Sequence, residues 1–216
     1  MAGKQRSADA VVVSAALDER WPEARCELLA RDPWELLVAV ILSARTADAR
    51  VNQVMAVLNE HFTGVEAYQD LDPRALGSFL ARLPLHRQKA RAITEAARYI
   101  LYRCDGTVPR SIDELVRIPG VGRKTAAVVA GNAFNHPAVA ADSHVQRIAH
   151  RLGWAIRADA VVAEAAIEAA FERADWVRRC HQLIRLGRDC CRPMRPWCSR
   201  CPVAGTCPQV GVSDAR

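Results

Sequence analysis

No apolar stretch of the chain is long enough to span a bilayer. The longest runs only from Leu36 to Leu42, far short of the ~20 residues a membrane helix needs. The N-terminus, Met-Ala-Gly-Lys-Gln-Arg-Ser, leads into no uncharged segment of signal-peptide form. A cytoplasmic protein with no membrane partner is therefore expected. Low-complexity segments and long Gly/Ser linkers are also missing, so two domains, if present, pack closely and can exchange chain segments. No period-two alternation bounded by hairpin turns occurs, and with it goes the pattern of half-buried strands. Lysine is scarce: only Lys4, Lys89 and Lys124 occur among 30 basic residues. Almost all the positive charge is arginine, which never gives up its proton.

What is present is globular in kind. Half of the 216 residues are hydrophobic and a quarter charged, which excludes a disordered, collagen-like or coiled-coil chain. A formal charge of +6 favours a polyanionic partner such as nucleic acid or an anionic membrane face. Helix-start signals recur, because short oxygen side chains satisfy the orphan amides of a first turn and proline fits where no N–H is needed. Asp32-Pro33-Trp34-Glu35 and Asp72-Pro73 are of this kind, and Ser111-Ile112-Asp113-Glu114 and Ser143-His144-Val145-Gln146 have capping-box form. Each precedes apolar residues spaced three and four apart, such as Leu36, Leu37, Val40 and Ile41, or Ala90, Ile93, Ala97 and Ile100. The chain is expected to be all-α, with roughly ten helices joined by short loops.

Of eight cysteines, four crowd the tail as Cys191-x6-Cys198-x2-Cys201-x5-Cys207. Four thiolates within seventeen residues let one small loop wrap a set of ligands, for zinc or for a [4Fe-4S] cluster. Reduced structural cysteines are the plainer alternative, but Pro193, Pro196, Pro202 and Pro208 rule out a long helix and leave little core to pack them in. Cys190 stands beside Cys191 and can compete as a ligand, whereas Cys26, Cys104 and Cys180 read as small hydrophobes.

The stretch Leu115 to Val129 reads as a short helix, a tight Pro119-Gly120-Val121-Gly122 turn and a second helix opening on Arg123-Lys124-Thr125. Turn amides converging at a helix N-terminus can hold one DNA phosphate without reading a base, although the same residues also suit an ordinary helix–helix turn. Arginine would serve phosphate contact equally well. A lysine in such a positive setting is disfavoured as a cation, and the free amine is a nucleophile. Lys124 is thus a candidate nucleophile as well as a phosphate-binding cation. A nucleophilic lysine also needs a carboxylate, and Asp142 follows eighteen residues later. Sequence alone does not bring it to Lys124, and it can equally serve the positive end of the next helix.

Taken in order, these elements resemble the endonuclease III branch of the helix-hairpin-helix DNA glycosylases with an iron-sulfur cluster, from about Trp34 to Cys207. The likeness rests on Leu42-Ser43-Ala44 with Thr46 and Asp48, on Ile118 to Ala126, on Asp142-Ser143-His144, on Leu186-Gly187-Arg188 and on the cysteine tail. It implies two close-packed helical domains: a six-helix barrel with the hairpin over residues 26–136, and a discontinuous cluster domain from residues 1–25 and 137–216. It implies a monomer that acts on damaged double-stranded DNA and so associates with the nucleoid. Lys124 would attack C1′ of a flipped-out oxidised pyrimidine nucleotide, Asp142 would assist its deprotonation, and the resulting Schiff base would permit β-elimination. Cys191, Cys198, Cys201 and Cys207 would hold a [4Fe-4S] cluster, Pro119 to Arg123 would hold phosphate, and Leu85 would fill the gap left by the flipped nucleotide.

Two departures fall where the lesion and the opposite base are met. Arg45 stands where the family usually has glutamine, and Pro84-Leu85-His86 replaces Gly-Leu-Tyr in the wedge loop. Arginine pairs with guanine edges, which suggests a preference for lesions opposite guanine; His86 retains an aromatic ring to stack on DNA. The same departures also fit a lesion- or abasic-site-binding protein of this fold with weak or no glycosylase activity. The adenine-removing relatives are disfavoured, since that branch lacks a lysine at the position of Lys124.

Overall fold

The computed structural model of the protein describes residues 7–216. Among these residues there are eleven α-helices, two 3₁₀ turns and no strand, so the protein is all-α. The chain divides into two compact units, one of Cys26–His136 and one joining the residues up to Arg25 with Pro137–Arg216. No helix among the described residues is long and apolar enough to cross a membrane.

The unit formed by Cys26–His136 contains α2 (Pro33–Ser43), α3 (Asp48–His61), the single turn α4 (Glu66–Gln69), α5 (Pro73–Phe79), α6 (His86–Arg103), the single turn α7 (Ile112–Leu115) and α8 (Arg123–Phe134). Asp32 caps α2 by accepting from the Glu35 amide at 2.8 Å, with Pro33 as its first residue. The Glu35 carboxylate reaches one residue beyond the cap, to the Arg31 amide at 2.8 Å and its guanidinium at 2.7 Å. Asp72 and Ser111 cap α5 and α7 as their sequences predict. Apart from Glu35, helix α2 is apolar all round from Trp34 to Leu42 and buried over that length, the pattern of a central helix. The amphipathic α6 lays Ala90, Ile93, Ala97 and Ile100 into the same core.

In the other unit, α1 (Ala10–Arg20) packs with α9 (Ser143–Arg151), α10 (Ala160–Ala170) and α11 (Trp176–Asp189). Backbone and side-chain bonds join the chain ends here: the Ala8 amide donates to Leu152 O at 2.7 Å, and the Trp154 indole N–H to Ala8 O at 2.8 Å. The capping-box reading of Ser143 needs correction, because Asp142 is the cap and Ser143 the first helical residue. A carboxylate one position earlier captures the amides of His144 and Val145, leaving Ser143 no orphan donor to satisfy.

Helix α1 docks on α11 through Asp18, which accepts from Arg178 at 2.7 Å, from Arg179 at 2.6 Å and from Gln182 at 2.9 Å. The Arg179 guanidinium beside it, more than its own burial, holds the Asp18 carboxyl below the usual carboxylate range. A group with a depressed folded value adds stability above its unfolded value and loses it as pH falls through the folded one. Asp18→Ala leaves the buried Arg179 with only the longer Asp175 contact, 3.7 Å, as a counter-charge. The expected cost is about 2 kcal/mol, reduced from the fully buried case by Asp18's solvent exposure. Thermal unfolding at neutral pH should register this loss, and the difference between wild type and variant should shrink as the buffer is taken into the acid range.

Candidate active site and nucleic-acid interface

The hairpin is built on a type II turn. Val121 N donates to Ile118 O at 3.0 Å, Pro119 takes the second position, and Gly120 sits at the third with φ +78°. A Cβ on Gly120 would stand 2.8 Å from the Ala92 Cβ, so this glycine is needed both for its backbone angle and for seating the turn against α6. Leu115, Ile118 and Val121 are buried in the core and anchor the turn from below.

Gly122 is different. Its φ of −87° suits any residue, and no protein atom lies within 4 Å of where its Cβ would be. As the residue before α8, it offers the first-turn amides no side-chain cap. Those amides, with exposed Gly122 and Arg123 beside them, remain open to an outside oxygen such as a phosphate. Lys124 is exposed in this first turn. Of the lysines in the described residues, Lys89 is buried, so Lys124 alone presents its amine at the surface.

Asp142 belongs to the other unit. Both of its cap bonds, to the His144 and Val145 amides at 2.8 and 3.0 Å, use Oδ1, so capping does not employ Oδ2. The helix it opens is held closely against α11. A Cβ on Gly187 would collide with the His144 ring and the Arg147 guanidinium, which explains the glycine of Leu186-Gly187-Arg188. Burial, more than the nearby arginines, pushes the His144 imidazole below its ordinary value. The neutral ring can accept from Arg147 Nη2 at 3.2 Å.

The same helix reaches the cysteine tail. Arg147 Nε donates to Cys191 O at 2.9 Å, and Arg151 donates to Arg192 O at 2.6 Å and Pro193 O at 2.8 Å. Arg151 Nη1 also lies 3.3 Å from the Cys191 sulfur. Cys191, Cys198, Cys201 and Cys207 line one pocket with Ile148, Leu186 and Val203. Cys190, expected as a plain hydrophobe or competing ligand, lines it too and is buried. Burial pushes the Cys198 and Cys207 thiols up, and that of Cys201 to about 12. Stable thiolates here therefore call for a bound cation. No three His, Cys, Asp or Glu side chains among the described residues converge closely enough to hold a single metal ion. The cysteines are nonetheless the only thiols or carboxylates of a lining that is otherwise apolar but for Arg151 and Gln209, which fits a thiolate-ligated group. Sequence reasoning missed Arg147 and Arg151, whose roles depend on contacts about forty residues away.

Two residues expected at DNA stand in left-handed backbone conformations that side chains rarely adopt. Arg45 has φ 56° on the loop after α2, and Leu85 has φ 60° just before α6. Leu85 is 43% exposed, an apolar side chain held out into solvent by a strained position. His86 begins α6 and lines a basic pocket with Arg74, Arg87 and Arg91.

The family model for the HhH-GPD superfamily base excision DNA repair protein matches residues 38–173. The chain belongs to that superfamily. It is 39% identical to endonuclease III of Bacillus subtilis (strain 168), over 93% of this chain and 92% of that one. Among solved structures, a trapped endonuclease III–DNA covalent intermediate in an estranged-adenine complex is similar at 36% identity. Its TM-score is 0.86, with 93% of this chain and 96% of that chain covered. A thermostable thymine-DNA glycosylase shares the fold alone, at TM-score 0.81 and 22% identity.

In this HhH-GPD chain the two hairpin glycines should separate cleanly. Gly120→Ala is expected to cost about 2 kcal/mol or more through its positive φ and the Ala92 clash. Gly122→Ala should stay within about 0.5 kcal/mol of wild type. Chemical denaturation of both variants checks this, and equal losses would contradict the different roles given to the two positions.

Proposed function

We propose that the protein is a base excision repair enzyme, a bifunctional DNA glycosylase and abasic-site lyase acting on oxidised pyrimidines in damaged double-stranded DNA. The observation that carries the reading is the exposed amine of Lys124 in the first turn of α8, behind an uncapped Gly-rich hairpin, in a chain of the HhH-GPD superfamily. Base excision requires the nucleotide out of the stack, since neither C1′ nor the lesion is accessible inside the duplex. The hairpin residues Pro119 to Arg123 grip the backbone, and Leu85 wedges into the vacated stack. The Lys124 amine attacks C1′, the glycosidic bond breaks, and the base departs with the bonding electrons and takes up a proton from solvent. Asp142 takes the lysine's proton and faces the positive charge that develops on the sugar. The C1′–O4′ bond of the sugar then opens, O4′ taking up the proton held by Asp142, and the iminium so formed on Lys124 loses a proton from C2′ to solvent as the 3′ phosphate is eliminated.

Arg45 is assigned to the base opposite the lesion, where a guanidinium fork fits guanine O6 and N7. His86, in its basic pocket, contacts the backbone beside it. The four tail cysteines hold a [4Fe-4S] cluster, which when bound ties the proline-rich tail together and carries charge that neutralises buried thiolates. The likeness to endonuclease III supports this over zinc, which four cysteines would also suit. A polyanion-binding enzyme with no membrane-spanning helix among its described residues fits a cytoplasmic, nucleoid-associated place of action.

Borohydride trapping on a duplex with one oxidised pyrimidine tests the chemistry. Wild type should form a covalent adduct, Lys124→Gln should form none, and Asp142→Asn should slow adduct formation at least about a hundredfold. An adduct that persists in Lys124→Gln would reassign the nucleophile. For the tail, purified protein should be brown, and substituting Cys198 with Ser should bleach the visible absorbance and lower the melting temperature. A colourless protein containing zinc would replace the cluster with a single ion.

A further inference from the structure

Lys89 is 3% exposed, an unusual place for an ammonium group. It has no carboxylate partner among the described residues, and burial alone pushes it below its ordinary value. Its Nζ donates to Thr46 Oγ1 at 2.9 Å. That hydroxyl in turn donates to Ala44 O at 3.3 Å, so a relay runs from a buried cation to the peptide group that joins Ala44 to Arg45.

The relay ends at a strained turn. Thr46 N donates to Ser43 O at 2.9 Å, and Ala44 has φ −54° and ψ 113°. With Arg45 at φ 56°, residues 43–46 form a type II turn whose third position normally calls for glycine or asparagine. Arginine there costs about 1–2 kcal/mol, and such a conformation persists only where its surroundings hold it. The other end of Lys89 is tied equally closely, because its backbone N–H donates at 2.9 Å to the carbonyl of Leu85, the second left-handed residue. One residue therefore joins both strained positions. An apolar side chain would fill the same space without burying a charge, so packing alone does not account for a lysine here.

We infer that Lys89 is a positioning residue that, through the Thr46 hydroxyl, locks the Arg45 turn in a fixed register with the Leu85 loop and so sets how sharply the enzyme distinguishes the base opposite the lesion. The discrimination half of this rests on the reading of Arg45 given above; the mechanical half does not.

Two readouts separate them. The first is limited trypsin cleavage after Arg45, scaled to cleavage after exposed Arg82 in the same molecule. The second is the single-turnover ratio of excision rates for one oxidised pyrimidine opposite guanine and opposite adenine. Thr46→Val and Lys89→Met should each raise relative cleavage at Arg45 at least about fivefold, the scale of a lost charge-assisted hydrogen bond. Both should bring the excision ratio toward unity, and Thr46→Ser, which keeps the hydroxyl, should restore both values. Unchanged cleavage at Arg45 in both Thr46→Val and Lys89→Met would overturn the proposal, whatever happens to activity. If Lys89→Met does not fold, Thr46→Val with Thr46→Ser decides alone. Raised cleavage with an unchanged ratio would keep the tether and reject its link to discrimination. A wild-type ratio of unity that Arg45→Gln does not alter would reject the reading of Arg45 itself, and the cleavage result would still judge the tether.

Discussion

The first four N–H groups of an α-helix have no carbonyl within the helix to bond, so each must find an oxygen elsewhere. Four helices of this protein find it nearby, where Asp9, Asp32, Asp72 and Asp159 each turn a carboxylate onto their own first turn, while α3 and α11 begin with no side-chain cap bond. The two helices assigned to DNA also start without one. Helix α8 begins behind Gly122, which has no side chain to give, and α6 begins behind Leu85, whose side chain is apolar. The first turn of α8 thus offers partial positive charge and free donors to a phosphate. Helix α9 stands between these cases. Its carboxylate cap is Asp142, and the cap uses one oxygen of two, so one residue can close a helix and still carry an anion for chemistry.

The second constraint is the poverty of core in the tail. Four prolines and several arginines between Arg188 and Pro208 cannot bury enough apolar surface to order that stretch against its conformational entropy. What does order it is polar and specific. Arg147 and Arg151 reach from α9 to backbone carbonyls of residues 191–193, and five cysteines close around a single pocket. Within this unit, the helix capped by Asp142 is therefore also the one that grips the cysteine loop. A cluster bound there would add to the order of the tail by binding only the folded arrangement.

Local rules make most of this legible in the sequence. The caps at Asp32 and Asp72 follow from residue types at fixed offsets, and the Pro119-Gly120 turn from the demand for a positive φ. The four tail cysteines follow from spacing alone. The same rules failed where two oxygen-bearing residues competed for one set of amides: Ser143 fits the capping-box pattern, but the carboxylate of Asp142, one residue earlier, takes the bonds. What was not legible depends on distance along the chain. Nothing near Lys89 announces that it meets Thr46, forty-three residues earlier, nor does anything near Arg151 announce the Cys191 sulfur. A clue did exist at Lys89, a charged residue next to Ala90 in an apolar helical stripe, but periodicity treats such a residue as noise at the edge of the stripe.

The choice between arginine and lysine ties these levels together. With 30 basic residues and only three lysines, the chain builds its positive surface from a group that holds its proton under all working conditions and pairs well with phosphate. An arginine-rich surface attracts DNA but offers it no nucleophile. Amine chemistry is then confined to the lysines. Lys4 lies outside the described residues, and Lys89 is buried and bonded to Thr46. Lys124 alone, among the described residues, stands exposed, and it does so at the helix start left open for phosphate. On the proposed function, selectivity among amines would need no special reactivity at Lys124 beyond its place: a phosphate held at the hairpin would bring the sugar within reach of Lys124 and not of the buried Lys89.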